Sequence, residues 1–399
     1  MQSKRIVITD VGTISSLGTG FESLNEAMTR TPQKSTVKDY DFHQLENDIE
    51  CYSIKDYDPV QILGKKGLRN KDFSTKILLG TIQTGFAEIL SNTDEHDKPG
   101  ISVGTAFGSI QSIGDFLSDS IISGVNSVNP QLFANTVINS PTGNANIRFN
   151  SKNLSSTIAS GFNAGIDSLI YSYNYLRKNY IQNIIAGGLE EISYYALLGL
   201  LRSGMLSNSG DPRPFAADAN GVIMGEACAL FLMESEESAR ERGANIIAEI
   251  AGTASSFDPQ TAQNGKSDGE SGAFAIKTAL EEAEIDADAI DFIASGANGN
   301  PKCDKFEAAA IKKVMDTKTP VTAYKMFTGE CYGASGAMNV ACALSDLKNK
   351  KISGKAKPYQ TIDDIPLVFE PQYKESTYAL VTSFSCEGNC SVVILKNVN

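Results

Sequence analysis

The residues from Ser155 to Ser168, Ser-Ser-Thr-Ile-Ala-Ser-Gly-Phe-Asn-Ala-Gly-Ile-Asp-Ser, have the composition of a turn built to hold a reactive group. Ser160, Gly161, Ala164 and Gly165 are small enough to let a helix approach its neighbours closely. Ser155, Ser156 and Thr157 are expected to cap that helix's first free amides. Amides at such a helix start stabilise a thiolate or an oxyanion. The residue at the tip of the turn, however, is Ile158, which can neither attack nor ionise. Seven cysteines (Cys51, Cys228, Cys303, Cys331, Cys342, Cys386 and Cys390) are an odd number in a chain of 399 residues, which argues for reduced thiols rather than a secreted disulfide framework. Cys386 and Cys390 have the spacing of a metal pair, but no second Cys/His pair stands at ligand spacing, so no metal site is expected. The two histidines, His43 and His96, lie in polar N-terminal surroundings.

The elements that must position these groups alternate in type. With 41% hydrophobic and 21% charged residues, the chain can bury a large core, as two or three domains or one large duplicated one. Ile6–Thr9 predicts a strand ending at Gly12, and Phe21–Thr29 a helix. The polar residues 35–72 read as a surface excursion. Asp72–Leu90 carries Ile77, Leu78, Ile82, Phe86, Ile89 and Leu90 at helical spacing. Ile101–Val103 predicts a strand, followed by a Gly/Ala loop and a helix from Ser109. A helix is expected over 160–178, and strands at Asn183–Ala186 and Ala227–Met233. This alternation predicts an α/β fold with buried central strands.

The second half echoes the first. Ile246–Ile250 with Ala251–Ser256 repeats Ile6–Thr9 with Val11–Ser16, and Ile290–Ala294 before Gly296 repeats Ile101–Val103 before Gly104. The offset, about 240 residues, is too long for a solenoid. Two similar halves, 1–240 and 241–399, sharing one site between them are expected. The formal net charge of −12 and the short, isolated basic runs, such as Lys348-Asn349-Lys350-Lys351, read as solvated surface and argue against nucleic-acid binding. No run of 18 apolar residues predicts a membrane span, and Met1–Arg5 leads straight into strand-like Ile6–Ile8 rather than a signal peptide, so a cytoplasmic protein is expected.

Four segments carry a family resemblance. Arg213–Glu226 (RPFAADANGVIMGE) is close to the pattern RPFDxxRDGFVxGEG, and Lys325–Gly336 (KMFTGECYGASG) to KSxxGHxxGAAG. Ser295–Ala308 (SGANGNPKCDKFEA) is close to HGTGTxxxDxxEA, and Ile185–Glu190 (IAGGLE) to VAGGAE. In this order, over nearly the whole length, they resemble a β-ketoacyl synthase, a condensing enzyme of the thiolase fold. The resemblance implies a duplicated, five-layered α-β-α-β-α architecture.

It also implies where an active member keeps its chemistry: a Cys that attacks an acyl thioester, two His that assist decarboxylation and stabilise the oxyanion, and a supporting Lys. Here the Cys position is Ile158, the His positions are Ser295 and Glu330, and only the Lys is kept, as Lys325, which is expected to pair with Glu330. His43 and His96 fall outside the motifs and cannot replace the missing pair. Cys386 stands for the gating Phe in Ser383–Asn389 (SFSCEGN), against SFGFGG, and Ala216 and Ala219 replace an Asp and an Arg.

These departures resemble the chain-length factor, or ketosynthase β, of type II polyketide synthases. That subunit has no catalysis of its own and needs no cofactor. It forms a heterodimer with an active ketosynthase α that receives the acyl carrier protein. Many aromatic-polyketide factors carry Gln where this chain has Ile158, a departure that leaves the decarboxylase role assigned to that Gln open and points to a divergent branch. By the resemblance, Ile110, Ile113 and Leu117, at helical spacing after Gly108, line the tunnel that limits chain length, and Phe116 reaches the interface. Within Asn126–Pro141, Leu132 and Phe133 cross toward the partner's pocket. The alternatives are an enzyme using Cys331 or Cys303, a homodimeric scaffold, and service in an aryl-polyene rather than an aromatic pathway.

Overall fold

The computed structural model describes the chain apart from residues 1–3, 31–33, 37–48, 95–96, 208–209, 265–267, 356 and 399, so His43 and His96 lie outside the described residues. The main strands are β1 (Ile6–Ser15), β2 (Gly100–Gly104), β3 (Ser155–Ile158), β4 (Asn183–Glu190), β5 (Ala227–Ser235), β6 (Ala248–Phe257), β7 (Phe292–Ala294), β8 (Val321–Thr322), β9 (Tyr378–Phe384) and β10 (Asn389–Asn397). The main helices are α1 (Phe73–Asn92), α2 (Ile110–Ser123), α3 (Ser140–Phe149), α4 (Ala164–Arg177), α5 (Tyr194–Arg202), α6 (Glu270–Ala283), α7 (Pro301–Val314), α8 (Lys325–Thr328) and α9 (Ser335–Lys348).

A strand buried on both faces must be central. β1 and β5 are buried along nearly their whole length and pair antiparallel, and β1 also pairs antiparallel with β6. From β1 the sheet runs outward through β5, β4 and β2 to β3. From β6 it runs through β10, β9 and β7 to β8. The order repeats in the two directions, and so does a bulge, between Ile8 and Asp10 on β1 and between Ile250 and Gly252 on β6. Helices α4 and α9 lie between the two halves of the sheet. α1 covers β1 and β5 on the outside, and α6, backed by α7, covers β6 and β10. The layers are therefore α-β-α-β-α. α9 is buried from Ser335 to Leu347, as a helix enclosed on all sides must be. The central layer is tight: a Cβ on Gly165 would lie 2.5 Å from the Gly333 carbonyl oxygen, and one on Gly104 2.0 Å from that of Ala164.

Three local expectations are corrected. Ser155, Ser156 and Thr157 cap nothing; they pair in parallel with Ile101–Val103 as part of β3, and α4 begins only at Ala164, after a single 3-10 turn over Gly161–Asn163. The β-branched Thr157 and Ile158 favour extended backbone. Residues 35–72 are not all surface, because Cys51 and Tyr52 are buried in a small sheet with Met224 and Gly225. In the basic run after α9, Lys351 is buried and its Nζ donates to the Asn25 carbonyl at 3.1 Å. The long connection after α2 contains a 3-10 helix, Pro130–Thr136, before α3 starts at Ser140.

One buried acid ties α9 to the segment that precedes α8. Asp346 accepts from Tyr324 Oη at 2.7 Å and from the amide and hydroxyl of Ser353 at 2.6 and 2.7 Å. Burial pushes its carboxyl up to about 6, against the pull of these bonds. A carboxyl raised in the folded state holds its proton more tightly there than in the unfolded chain. Its contribution to stability is therefore full below the unfolded chain's value of 3.8 and is lost as pH rises through about 6. The difference is on the order of 2–3 kcal/mol. Asp346→Asn can keep all three contacts, with its oxygen accepting from Tyr324 and the Ser353 amide and its NH2 donating to the Ser353 hydroxyl. Denaturant titrations from about pH 4.5 to 7 are expected to show a smaller loss of stability in the variant than in the parent. Parallel curves would remove Asp346 from this role.

Candidate functional site

Lys325 opens α8, a single turn whose residues are all buried. The chain reverses at Gly329, where φ is +69°, in the left-handed region, and a Cβ would lie 2.9 Å from the Ile223 carbonyl oxygen. This reversal returns Glu330 to Lys325. The Lys325 ammonium donates to Glu330 Oε2 at 2.7 Å and to the Gly296 carbonyl at 2.7 Å. Glu330 Oε2 also accepts from Asn298 Nδ2 at 2.6 Å. Its Oε1 accepts from the Tyr332 amide at 2.9 Å and from Ser335 Oγ at 2.5 Å. Each carboxylate oxygen thus has two partners, which fills its acceptor sites. Burial works against the Lys325 charge, but Glu330 outweighs it and holds the ammonium above its usual pKa.

Ser295 follows β7 and is also fully engaged. Its hydroxyl donates to Glu307 Oε1 at 2.7 Å and accepts from the Ala297 amide at 3.0 Å. Glu307 accepts further from the Gly296 amide and Thr382 Oγ1, and burial pushes its carboxyl up. Asp304, on the same face of α7, accepts from the amides of Phe215, Asn298 and Gly299, while burial pushes its carboxyl up to about 7. Two acids from one helix therefore sew the Ser295–Gly299 loop to the loop carrying Arg213–Ala216. Ser295 reaches Lys325 only through the Gly296 carbonyl.

Ile158 ends β3 half-buried and borders a cleft of ≈ 540 Å³ with Asp167, Tyr171, Phe257 and Asn389. Phe162, four residues on, packs on Tyr332 with ring centroids 5.0 Å apart, next to Glu330. The turn that follows is occupied. The Phe162 amide donates to Glu387 Oε2 at 3.2 Å, and Asn389 Nδ2 donates to the Ser160 carbonyl at 3.1 Å. Gly161, at φ +72°, leaves room for Glu387; a Cβ there would lie 2.0 Å from its Oε2. An amide suited to a developing oxyanion already holds a carboxylate.

Two of the three cysteines near this cluster are buried with raised thiols, whereas the half-buried Cys386 is held below its usual value by its hydrogen bond with Cys303. Cys331 is buried, its Sγ donates to the Thr328 carbonyl at 3.5 Å, and burial, helped by Glu330, pushes its thiol well up. Cys303 is raised by its hydrogen bond with Cys386 and by burial. Among the described residues no group of three or more His, Cys, Asp or Glu could hold a metal ion.

On the other flank, α2 buries none of its residues. Ile110, Ile113 and Phe116 are half-buried and Leu117 is 53% exposed. One side of α2 leans on α5, where Gln111 accepts from the Tyr194 amide at 2.8 Å. Phe116 packs on Phe133 of the 3-10 helix, with ring centroids 5.9 Å apart, and Leu132 is half-buried beside it. The other side is open: Ile121 and Ile122 are each 81% exposed, Phe133 61% and Ile147 82%, with Val125, Val137 and Ile138 also exposed.

Family models agree with the motif order. The model described as "Beta-ketoacyl synthase, N-terminal domain" matches residues 4–239, and "Beta-ketoacyl synthase, C-terminal domain" matches residues 247–357. The chain belongs to the β-ketoacyl synthase family. It is 25% identical to the 3-oxoacyl-[acyl-carrier-protein] synthase 2 of Staphylococcus aureus (strain COL) over 99% of each protein. It is 28% identical to a 3-oxoacyl-[acyl-carrier-protein] synthase homolog of Saccharomyces cerevisiae, over 75% of this chain and 72% of that protein. Among solved structures, the ishigamide ketosynthase/chain length factor superposes with a TM-score of 0.91 at 24% identity over all of both chains. The ketosynthase ApeO in complex with its chain length factor ApeC from Xenorhabdus doucetiae gives 0.84 at 18%, over 99% of this chain and 98% of that one. At these identities the structures establish the shared ketosynthase fold.

Within that fold, several site residues were not legible from motifs alone. Glu387 was one, although it sits in the Ser383–Asn389 segment where the family pattern has Gly. Ile121, Ile122, Val125 and Ile147 were others, because a helical face that waits for a partner has the same spacing as one that packs on its own core. The tightest test of the described cluster is energetic. Lys325→Met leaves Glu330 buried without its counter-ion, which is expected to destabilise the chain by ~3–5 kcal/mol, and Lys325→Met combined with Glu330→Leu should recover most of that loss. Equal stability of the parent and the single variant in chemical denaturation would contradict this reading.

Proposed function

We propose that this ketosynthase-family chain is a non-catalytic chain-length factor. It pairs with an active ketosynthase subunit and forms part of the tunnel in which that subunit's acyl chain grows. The observation that carries the reading is the state of Glu330. The family's reaction develops negative charge where an imidazole should stabilise it. Here that position holds a carboxylate, saturated by Lys325, Asn298, Tyr332 and Ser335. Ile158 supplies no nucleophile, Ser295 is spent on Glu307, and Glu387 occupies the Phe162 amide.

The partner is inferred from the surface. β3 is an edge strand, and an open edge beside exposed apolar side chains favours a covering chain. The open face of α2 and its neighbours supplies those side chains. The solved ketosynthase and chain-length-factor pairs of the same fold make an active ketosynthase the natural cover. In that heterodimer Ile110, Ile113, Phe116 and Leu117 face the tunnel, and Leu132 and Phe133 lie at the interface. A chain that meets such a wall stops growing because overpacking costs ~1–3 kcal/mol or more. The net charge of −12 directs an acidic carrier protein mainly to the partner subunit. Reduced thiols fit work in the cytoplasm, and the product is an aromatic polyketide or a polyene.

Co-expression with the ketosynthase encoded beside it tests the pairing. The two are expected to co-purify, and Ile121→Asp with Ile122→Asp should abolish this while leaving the isolated chain folded. Ile113→Ala and Leu117→Ala should lengthen the product. A chain that is homodimeric alone and never co-purifies, or unchanged product length in both alanine variants, would sink the proposal.

A further inference from the structure

Away from the old centre, on the other side of α8, a cleft of ≈ 740 Å³ opens between the Arg213 loop and residues 354–355, 357–359 and 369–371. Its size is that of a small-molecule site. Met326, next to Lys325 on α8, and Tyr52 lie on its apolar floor, and Tyr359 and Phe369 form a wall, packed edge to face with ring centroids 4.9 Å apart. Tyr359 is fixed by its hydroxyl, which donates to the Pro214 carbonyl at 2.9 Å, and the Arg213 guanidinium lies 4.9 Å above its ring.

The charges of the cleft are unevenly satisfied. Lys34 is held by Glu50 and Asp211, at 3.0 and 2.8 Å. Arg213 reaches Asp218 through one NH2 group at 2.8 Å, but its Nε is buried without a partner among the described residues. Lys355 is half-buried, and its ammonium, shielded from solvent, has no hydrogen-bond partner among the described residues. Buried polar groups are almost always paired, and an unpaired buried cation is costlier than an unpaired neutral group. Burial depresses the Lys355 pKa. Two cationic groups with unused donors therefore line one largely apolar cleft, alongside Lys34, Lys357, Asp211 and Glu370.

We infer that this cleft is a binding site for a carboxylate carried on an apolar body, with the Lys355 ammonium and Arg213 Nε taking the carboxylate and Met326, Tyr52, Tyr359 and Phe369 taking the body. The apolar floor selects against small inorganic anions, and the two cations select against neutral lipids. The site is independent of the chain-length reading, since it shares no residue with α2 or with the cluster around Glu330.

Octanoate is the probe, titrated calorimetrically into the full chain together with any subunit that co-purifies. Saturable binding is expected, with acetate and octan-1-ol each at least tenfold weaker. Lys355→Met should weaken octanoate at least tenfold. Thr29→Trp, which narrows the exposed rim, should do the same without touching the core, and carries the test if Lys355→Met does not fold. Absence of saturable binding, or equal affinity in the parent and both variants, overturns the assignment. Inorganic phosphate competing as well as octanoate would also overturn it, by moving the cleft to phosphorylated ligands.

Discussion

A buried lysine beside a buried glutamate, held by the reversal at Gly329, is the constraint on which the rest of the centre depends. Neither charge could stand alone at this depth, so each must be fully paired. The pairing recruits Asn298 from the loop after β7, Ser335 from the start of α9 and the Tyr332 amide between them. Asn298 is in turn placed by Asp304, which also fixes the Phe215 loop. That pairing leaves the Glu330 carboxylate no free acceptor site.

The same economy explains what could be read from the chain and what could not. The alternation of buried strands and helices, and the echo of β1 in β6, are legible because apolar runs and turn glycines record burial directly. The Lys325–Glu330 contact was legible because both residues fall in one motif, five positions apart. Ser155–Thr157 misled because Ser and Thr serve caps and strand edges equally well, and only the neighbour, β2, decides between them. Lys351 misled because a lysine in a basic run reads as solvent-facing until its stem is found packed and its ammonium bound to the Asn25 carbonyl. Glu387 was visible as a lost glycine, but its contact with the Phe162 amide depends on a fold that brings together residues 225 positions apart.

Two surfaces then divide the molecule's tasks. The flank formed by α2, the 3-10 helix and the edge strand β3 is apolar and uncovered, the condition of a subunit that completes itself on another chain. The face beneath α8 is concave and carries cationic donors without partners among the described residues over an apolar floor, the condition of a site that takes a small ligand.

The central claim is that the chain keeps a condensing enzyme's architecture without its covalent step. It is tested most directly by intact-mass spectrometry of the co-purified pair after incubation with an acyl-loaded carrier protein. The account predicts an acyl mass increase on the partner subunit alone, with this chain unmodified. An acyl thioester on this chain, at Cys331, Cys303 or Cys386, would contradict it.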